Sequence, residues 1–299
     1  MTIRYDGKVA IVTGAGAGLG RVHALALAAR GAKVVINDFG GARDGTGGSS
    51  AAALAVVDEI RKAGGTAIAN GANVADFEQV KEMVAQTMAE FGRIDILVNN
   101  AGILRDKTFT KLDMADIKAV IDVHLMGSIH CTKAVWDIMR EQNYGRIVMT
   151  TSASGLYGNF GQSNYAAAKM ALVGLMNSLS QEGRKNNIRV NTIAPVAATR
   201  MTEDVLPAEM LERIQPERVT PGVLFLCSEE APERVVLSAG GGVFATATMM
   251  ETAPVLLRDG ELSPETLAAR FGEIANWQTA RGYEGSFAEV QAFLTEAMK

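Results

Sequence analysis

The feature that most constrains the fold of this chain is the alternation of short apolar, β-rich runs with longer helical stretches over its first two thirds. The runs Lys8–Val12, Lys33–Ile36, Ile94–Asn99 and Arg146–Thr151 are each followed by a stretch of helical character. Continuous apolar runs are typical of strands buried on both faces, and repeated β–α units require a parallel sheet with helices on both sides. The pattern therefore predicts an α/β fold with a doubly wound parallel sheet in three α/β/α layers.

Composition narrows the class of protein. The 299 residues are 48% hydrophobic and 21% charged, which suffices for a large core and is untypical of a disordered chain. We expect a single domain over residues 1–299, with a core at 1–228 and a C-terminal extension at 229–299 packed on it. No run approaches the roughly 20 apolar residues of a membrane span, and no secretory signal is visible, so we expect no membrane partner and a cytoplasmic location.

Charge and metal-binding residue types exclude two further classes. A formal net charge of −4 argues against nucleic acid as the partner. The two cysteines and three histidines show no metal-ligand spacing, so we expect no metal site. A small-molecule ligand remains the expected partner.

A glycine cluster lies between the first predicted strand and the first predicted helix, at Thr13–Gly20 (TGAGAGLG). Such a turn allows backbone N–H groups to approach a pyrophosphate, and the N-terminus of the following helix favours the negative charge. A glycine cluster is a weak signal by itself. Its position between a strand and a helix at the start of the chain predicts a Rossmann-type dinucleotide site.

The second predicted strand ends at Asp38, which lies 18 residues after Gly20. A carboxylate about 20 residues after the glycine turn binds the ribose hydroxyls of adenosine and repels a 2′-phosphate. This spacing favours NAD over NADP. Arg21 and Arg43 leave an alternative open, because cations near the ribose suit NADP unless they are ordinary exposed arginines.

The segment Gly40–Ser50 (GGARDGTGGSS) contains five glycines and follows the second predicted strand. It lies on the edge of the sheet where ligands bind in folds of this class. It is either a flexible insertion or a loop on the cofactor side, and the sequence leaves both interpretations open.

Three side chains form a candidate catalytic group. Tyr165 and Lys169 are four residues apart in a predicted helix, and Ser152 follows the predicted strand Arg146–Thr151. Oxidation of an alcohol needs a base for the hydroxyl proton, and a nearby ammonium favours the phenolate form of a tyrosine. We predict Tyr165 as the general base, Lys169 as the cation that lowers its pKa, and Ser152 as the hydroxyl that orients the substrate.

These motifs, together with Asn99–Gly102 (NNAG), resemble the short-chain dehydrogenase/reductase family over roughly residues 5–228. The resemblance implies an NAD-dependent enzyme that oxidises a secondary alcohol to a ketone, with Lys169 also binding the nicotinamide ribose. The cofactor contacts that it implies are Gly14, Gly18, Leu19, Gly20, Asp38, Asn73, Val74, Asn99, Ala101, Gly102, Tyr165, Lys169, Pro195 and Thr199.

The fourth helix departs from the family pattern. The family has an asparagine in the middle of this helix, whereas the predicted helical stretch Met114–Met139 has His124 at that position. The resemblance implies that His124 takes part in a catalytic proton relay. The alternative is a histidine packed at a dimer contact.

Two departures concern the cofactor contacts. Asn73-Val74 stands where the family has an Asp-Val pair near the adenine. Pro195-Val196 stands where the family has Pro-Gly after the sixth strand, and the following segment with Thr199 is one residue short.

Within the family, one subgroup shares several of these features. The stretches GRIDILVNNAGILRD and YGRIVMTTSASGLYGNFGQSNYAAAK, with His124 and the Gly40–Ser50 loop, are similar to the dehydrogenase domains of multifunctional enzymes of type 2. This resemblance implies a stand-alone bacterial enzyme that oxidises (3R)-hydroxyacyl-CoA to 3-ketoacyl-CoA in fatty-acid β-oxidation. A steroid 17β-hydroxyl or another secondary alcohol is the alternative substrate, and a non-catalytic nucleotide-binding protein is the alternative of another class. The family also implies a homodimer or homotetramer.

Overall fold

The computed structural model describes residues 2–198 and 207–299. Strands and helices alternate through most of the chain, as the apolar pattern predicts. In chain order the strands and α-helices are β1 (Val9–Thr13), α1 (Gly18–Ala29), β2 (Lys33–Asn37), α2 (Ala51–Lys62), β3 (Thr66–Asn70), α3 (Phe77–Phe91), β4 (Ile96–Asn99), α4 (Met114–Ile121), α5 (Gly127–Gln142), β5 (Gly145–Thr150), α6 (Ala153–Tyr157), α7 (Ser163–Gly183), β6 (Ile188–Val196), α8 (Ala208–Arg213), α9 (Thr220–Cys227), β7 (Val236–Gly240), β8 (Val243–Ala247), α10 (Pro264–Ile274) and α11 (Ser286–Ala297).

One eight-stranded sheet has the order β3-β2-β1-β4-β5-β6-β7-β8, and the pairs from β3 to β7 are parallel. The chain starts in the middle of the sheet, winds out to β3, and then returns across β1 to β4. This reversal brings the carboxyl ends of β1 and β4 together, where open α/β sheets bind ligands. The predicted doubly wound fold is confirmed.

Helices cover both faces of the sheet. Helices α1, α2 and α9 pack together on one side. On the other side α5 contacts β4 and β5, α7 contacts β5 and β6, and α3 packs against α5. The central strands are buried along their whole length, which agrees with their continuous apolar runs. The three layers of the predicted α/β/α arrangement are therefore present.

The chain forms two compact units, Met1–Thr246 and Ala247–Lys299. The first contains the sheet, which extends past residue 228 because β7 pairs with β6. The second contains α10, capped by the Ser263 side chain on the N–H of Thr266, and α11. That the C-terminal extension packs on the core stays a prediction.

Two further features bear on possible partners of the protein: membrane-spanning helices and metal-binding clusters. In the part of the chain that the structure describes, no helix is long and apolar enough to cross a membrane. The same residues contain no group of three or more His, Cys, Asp or Glu placed to hold a metal ion.

Candidate active site

The glycine turn joins β1 to α1 in a conformation that side chains would obstruct. Gly14 and Gly18 have φ values of +63° and +52°, in the left-handed region that favours glycine. A Cβ on Gly14 would lie 2.8 Å from the Cα of Ala101, and one on Gly20 would lie 2.3 Å from the Gly14 carbonyl oxygen. The glycines therefore allow the turn and the N-terminus of α1 to lie closer to the backbone after β4 than side chains would permit.

Two side chains that the sequence analysis did not single out hold this turn in place. The Asn100 amide donates to the carbonyl oxygens of Thr13 and Gly14, at 2.9 and 3.0 Å. The Thr13 hydroxyl accepts from the backbone N–H groups of Asn100 and Ala101, at 3.0 and 3.1 Å. The second asparagine of the NNAG motif, Asn100, was the sequence feature that could have indicated this role.

Asp38 lies at the carboxyl end of β2 and binds the backbone on both sides of it. Its carboxylate accepts from the N–H of Gly16 and from the N–H of Gly40, both at 2.7 Å. Arg21 forms an ion pair with Glu59 at 2.6 Å, so its positive charge is already balanced. Arg21 therefore does not neutralise the Asp38 carboxylate. Because this carboxylate repels a 2′-phosphate, the arrangement favours NAD over NADP.

The Gly40–Ser50 loop is attached to the protein at both ends and in its middle. Ser49 donates from its backbone N–H to the carbonyl of Phe39, and Ala42 donates to the carbonyl of Thr46. The N–H of Leu104, in the loop after β4, donates to the carbonyl of Arg43 at 3.0 Å. Of the two open interpretations, these bonds favour a loop on the cofactor side.

Ser152, Tyr165 and Lys169 are brought together next to the carboxyl end of β5. The Ser152 hydroxyl caps α6 by accepting from the N–H of Ser154 at 3.1 Å. Lys169 is 3% exposed and donates from Nζ to the carbonyl of Thr150 at 2.5 Å. Its Nζ lies 5.5 Å from the centre of the Tyr165 ring.

Burial dominates the protonation of this group. It raises the pKa of Tyr165, while the polar Ser152 side chain acts in the opposite direction. Burial also lowers the pKa of Lys169 to about 7, because a desolvated ammonium is disfavoured. That Lys169 lowers the pKa of Tyr165 stays a prediction, because burial sets the net direction of the shift in the chain without cofactor.

His124 lies inside a π-helical turn, Asp122–Met126, that joins α4 to α5. Its ring is 2% exposed and meets the Tyr165 ring edge-on, with the ring centres 5.1 Å apart. Nε2 lies 2.8 Å from the Ile103 carbonyl oxygen and 3.1 Å from the Ile103 N. The shorter contact indicates an Nε2–H that donates to the carbonyl.

The other ring nitrogen of His124 is therefore a bare acceptor. Nδ1 is buried and has no hydrogen-bond partner among the described residues. Burial and the nearby Lys169 hold the pKa of His124 well below its ordinary range, so the ring is neutral. A Cβ on Gly102 would lie 2.4 Å from Cε1 of the ring, which explains a glycine at that position.

Two predicted contacts have side chains that are engaged elsewhere. Asn99 is 4% exposed and donates from its amide to the hydroxyl of Thr132 on α5, at 3.1 Å. The Asn73 side chain accepts from the N–H of Ala75 within its own turn, at 3.0 Å. Neither geometry gives a side chain directed to a nucleotide, and the roles of both residues stay predictions.

The remaining predicted cofactor contacts include Val74, Pro195 and Thr199. Val74 is buried, its side chain is close to Gly127, and its carbonyl accepts from His130. Pro195 lies within β6, paired with Ala239. Thr199 lies outside the described residues.

The arrangement fits a dinucleotide. The positive-φ glycine turn, the N-terminus of the 12-residue helix α1 and the Asp38 carboxylate meet at the reversal of the sheet. The buried Asn99 Oδ1 and His124 Nδ1 are unpaired acceptors on the same edge. The glycine turn and the N-terminus of α1 would hold the pyrophosphate and Asp38 the adenosine ribose, with Tyr165 and Lys169 at the reactive end.

Comparison with known proteins identifies relatives along nearly the whole chain. Residues 8–209 match the profile of the short chain dehydrogenase family. The chain is 49% identical over 278 residues to the peroxisomal multifunctional enzyme A of Dictyostelium discoideum, which covers 93% of this chain and 62% of that protein. It is also 49% identical over 275 residues to a short-chain type dehydrogenase/reductase of Mycobacterium tuberculosis, covering 92% and 96% of the two chains. The chain thus spans less than two thirds of the multifunctional relative.

Solved structures show the same fold. Full-length peroxisomal multifunctional enzyme type 2 from Drosophila melanogaster has a TM-score of 0.82 and 40% identity, over 99% of this chain and 50% of that one. A 7α-hydroxysteroid dehydrogenase in complex with NADH and 7-oxo glycochenodeoxycholic acid has a TM-score of 0.72 and 33% identity, over 80% and 95%.

Proposed function

The chain belongs to the short-chain dehydrogenase/reductase family, and we propose that it oxidises (3R)-hydroxyacyl-CoA to 3-ketoacyl-CoA with NAD in fatty-acid β-oxidation. It is an NAD-dependent oxidoreductase that acts on a secondary alcohol. The observation that carries the chemistry is the meeting of Ser152, Tyr165 and buried Lys169 in one group at the carboxyl end of the sheet. The substrate is proposed from the similarity to multifunctional enzymes.

The oxidation has two parts, the transfer of a hydride to the cofactor and the transfer of a proton to Tyr165. Bound NAD would supply the acceptor for the hydride of the carbinol carbon. Tyr165 takes the hydroxyl proton on its phenolate oxygen, so that the C–O bond becomes a carbonyl and the ketone leaves. Ser152 donates a hydrogen bond to the substrate oxygen and holds it near Tyr165.

Lys169 and His124 support this proton transfer. We assign Lys169 to the nicotinamide ribose and to the field at Tyr165, because its Nζ is buried beside that ring. The unpaired Nδ1 of neutral His124 provides an acceptor in the same enclosed region. A water or ribose hydroxyl bonded there would extend the route by which the proton leaves.

The direction of the tyrosine pKa has a consequence for the pH profile. Because burial raises the pKa of Tyr165, the phenol is protonated at neutral pH and serves as an acid for ketone reduction. Alcohol oxidation requires the phenolate. Its rate should therefore rise about tenfold per pH unit until the pKa of the cofactor-bound enzyme is reached.

We also propose a cytoplasmic homo-oligomer, a dimer or a tetramer. Members of this family pair through the helices that correspond to α4, α5 and α7, and Met114 at the start of α4 is 75% exposed. Light scattering on the purified protein tests this assignment directly. A mass of a single chain of 31.6 kDa at micromolar concentration would contradict it.

The decisive experiment measures NADH formation from matched (3R)- and (3S)-hydroxyacyl-CoA thioesters and from a steroid 17β-alcohol. We expect turnover of the (3R) thioester, and loss of at least about a thousandfold in kcat with Tyr165→Phe. Tyr157→Phe, an exposed tyrosine outside the catalytic group, serves as the matched control. Turnover of the steroid but of neither thioester would overturn the substrate and leave the catalytic residues in place. NAD-linked activity that survives in Tyr165→Phe would overturn the catalytic assignment.

A further inference from the structure

Arg105 joins two elements that are distant in the sequence. It lies in the segment Ile103–Lys107, which follows the end of β4. Its Nε donates to the backbone carbonyl of Asp44 at 3.0 Å, and its Nη1 donates to the Asp116 carboxylate at 3.2 Å. The arginine side chain is 27% exposed and that of Asp116 is 12% exposed, so this bridge is partly shielded from water.

The Ile103–Lys107 segment holds the Gly40–Ser50 loop by further contacts. Leu104 bonds to the carbonyl of Arg43, as described above. Gly45 has a φ of +88°, and a Cβ there would lie 3.2 Å from the Ile103 side chain. At its start the same loop is bonded to Asp38, through the N–H of Gly40. The loop is therefore fixed between the adenosine carboxylate and the Ile103–Lys107 segment.

The other side of the segment is bonded to the catalytic helix. Asn164, which is 3% exposed and immediately precedes Tyr165, donates from its amide to the Arg105 carbonyl at 3.1 Å. Gln162 donates to the Asp106 carboxylate at 2.6 Å and accepts from the Ser154 hydroxyl at 2.8 Å. One short segment thus contacts both the cofactor-side loop and the start of α7.

We propose that Arg105 is a positioning residue for NAD. Its guanidinium fixes the Gly40–Ser50 loop beside Asp38 before the cofactor binds, and its segment holds the loop at a fixed distance from the start of α7. The inference rests on NAD as the cofactor of this site. A loop with five glycines has many accessible conformations, and ordering it during binding reduces affinity. A loop that is already ordered avoids that cost.

The two bonds require an arginine. The guanidinium is a planar fork with several N–H donors, so it reaches the Asp44 carbonyl and the Asp116 carboxylate together. A lysine ammonium at the same position would keep the charge and pair with Asp116, but it would not span both acceptors. Arg105→Lys should therefore behave as an intermediate variant.

The test measures NADH binding by fluorescence and amide hydrogen exchange of the loop, both without substrate. We expect Arg105→Met to raise the Kd for NADH about fivefold to tenfold and Arg105→Lys about threefold, since a charge-assisted bond is lost wholly or in part. In the cofactor-free variants the amides of residues 40–50 should exchange faster. At saturating NAD, kcat should stay within about twofold of the wild type.

Lys107→Met is the matched control. Lys107 also pairs with Asp116, at 2.6 Å, but its side chain makes no bond to the loop among the described residues. Its NADH affinity should match that of the wild type. Equal weakening in Lys107→Met and Arg105→Met, or an unchanged Kd in Arg105→Met, would overturn the proposal. A wild-type protein that binds no NADH would instead overturn the proposed function and this inference together.

Discussion

At the scale of single residues, Lys169 shows how catalysis and stability oppose each other. The ammonium that the reaction needs is enclosed in protein, and burial lowers its pKa from 10.5 to about 7. Between these two values the folded chain binds fewer protons than the unfolded chain, so this residue makes stability rise with pH. Below about pH 7 its full desolvation penalty opposes folding.

This sign leads to a stability prediction for Lys169→Met. In the cofactor-free protein the substitution should raise the thermal midpoint by a few degrees at about pH 6, because it removes the desolvated ammonium. The gain should shrink as the pH rises from about 7 towards 10, where the lysine becomes neutral in both states. Thermal melts over a pH series measure the effect, and NADH formation by the variant should be lost.

The control for this prediction is Lys133→Met, which changes an exposed lysine on α5. It should leave the pH dependence of the melting temperature as it is in the wild type. A thermal midpoint for Lys169→Met below that of the wild type at about pH 6 would show that the bond to Thr150 contributes more than desolvation costs.

At the scale of elements, the π-helical turn between α4 and α5 depends on a contact with another part of the chain. The sequence pattern predicts one helical stretch over Met114–Met139, but the structure interrupts it at Asp122–Met126. The His124 ring bonds to Ile103 and occupies the space that a side chain on residue 102 would fill. Such turns are frequent at functional sites.

Gly102→Ala tests this packing. The added Cβ would lie 2.4 Å from the His124 ring, so the ring must move, and we expect a loss of about 1–3 kcal/mol in the free energy of unfolding. Urea denaturation measures it. In a His124→Ala background, Gly102→Ala should lower the free energy of unfolding much less than it does in the wild type, because the obstructing ring is absent. Additive losses in the double variant would show that the ring is not the obstacle.

At the scale of the whole molecule, the sheet lies between two helical layers. Each layer contains one buried cysteine, whose exposure reports whether that layer opens. Cys131 lies on α5 in one layer and Cys227 ends α9 in the other, and both are buried. Burial raises the pKa of Cys131 to about 12 and also raises that of Cys227. Neither thiol is reactive in the native state, since the thiolate is the reactive form.

We expect a thiol reagent at neutral pH to label both cysteines at one common rate, at least about a hundredfold slower than in the unfolded chain. The reason is that exposing either thiol requires separation of its layer from the shared sheet. Cys131→Ala and Cys227→Ala variants, each with one thiol left, report the two layers separately. Rapid labelling of one variant in the absence of denaturant would show that its layer opens independently.

The sequence by itself determined the order of strands and helices in the core, the glycine turn and the Tyr165–Lys169 pair. These depend on periodicity, turn chemistry and helix spacing, which are local properties of the chain. The tertiary structure decided that Asn100 holds the glycine turn, that the Gly40–Ser50 loop is bonded to Leu104 and Arg105, and that the pKa of Tyr165 rises. Each of these depends on burial or on a partner distant in sequence, and no local pattern encodes the distance between two such groups or the amount of water left around them.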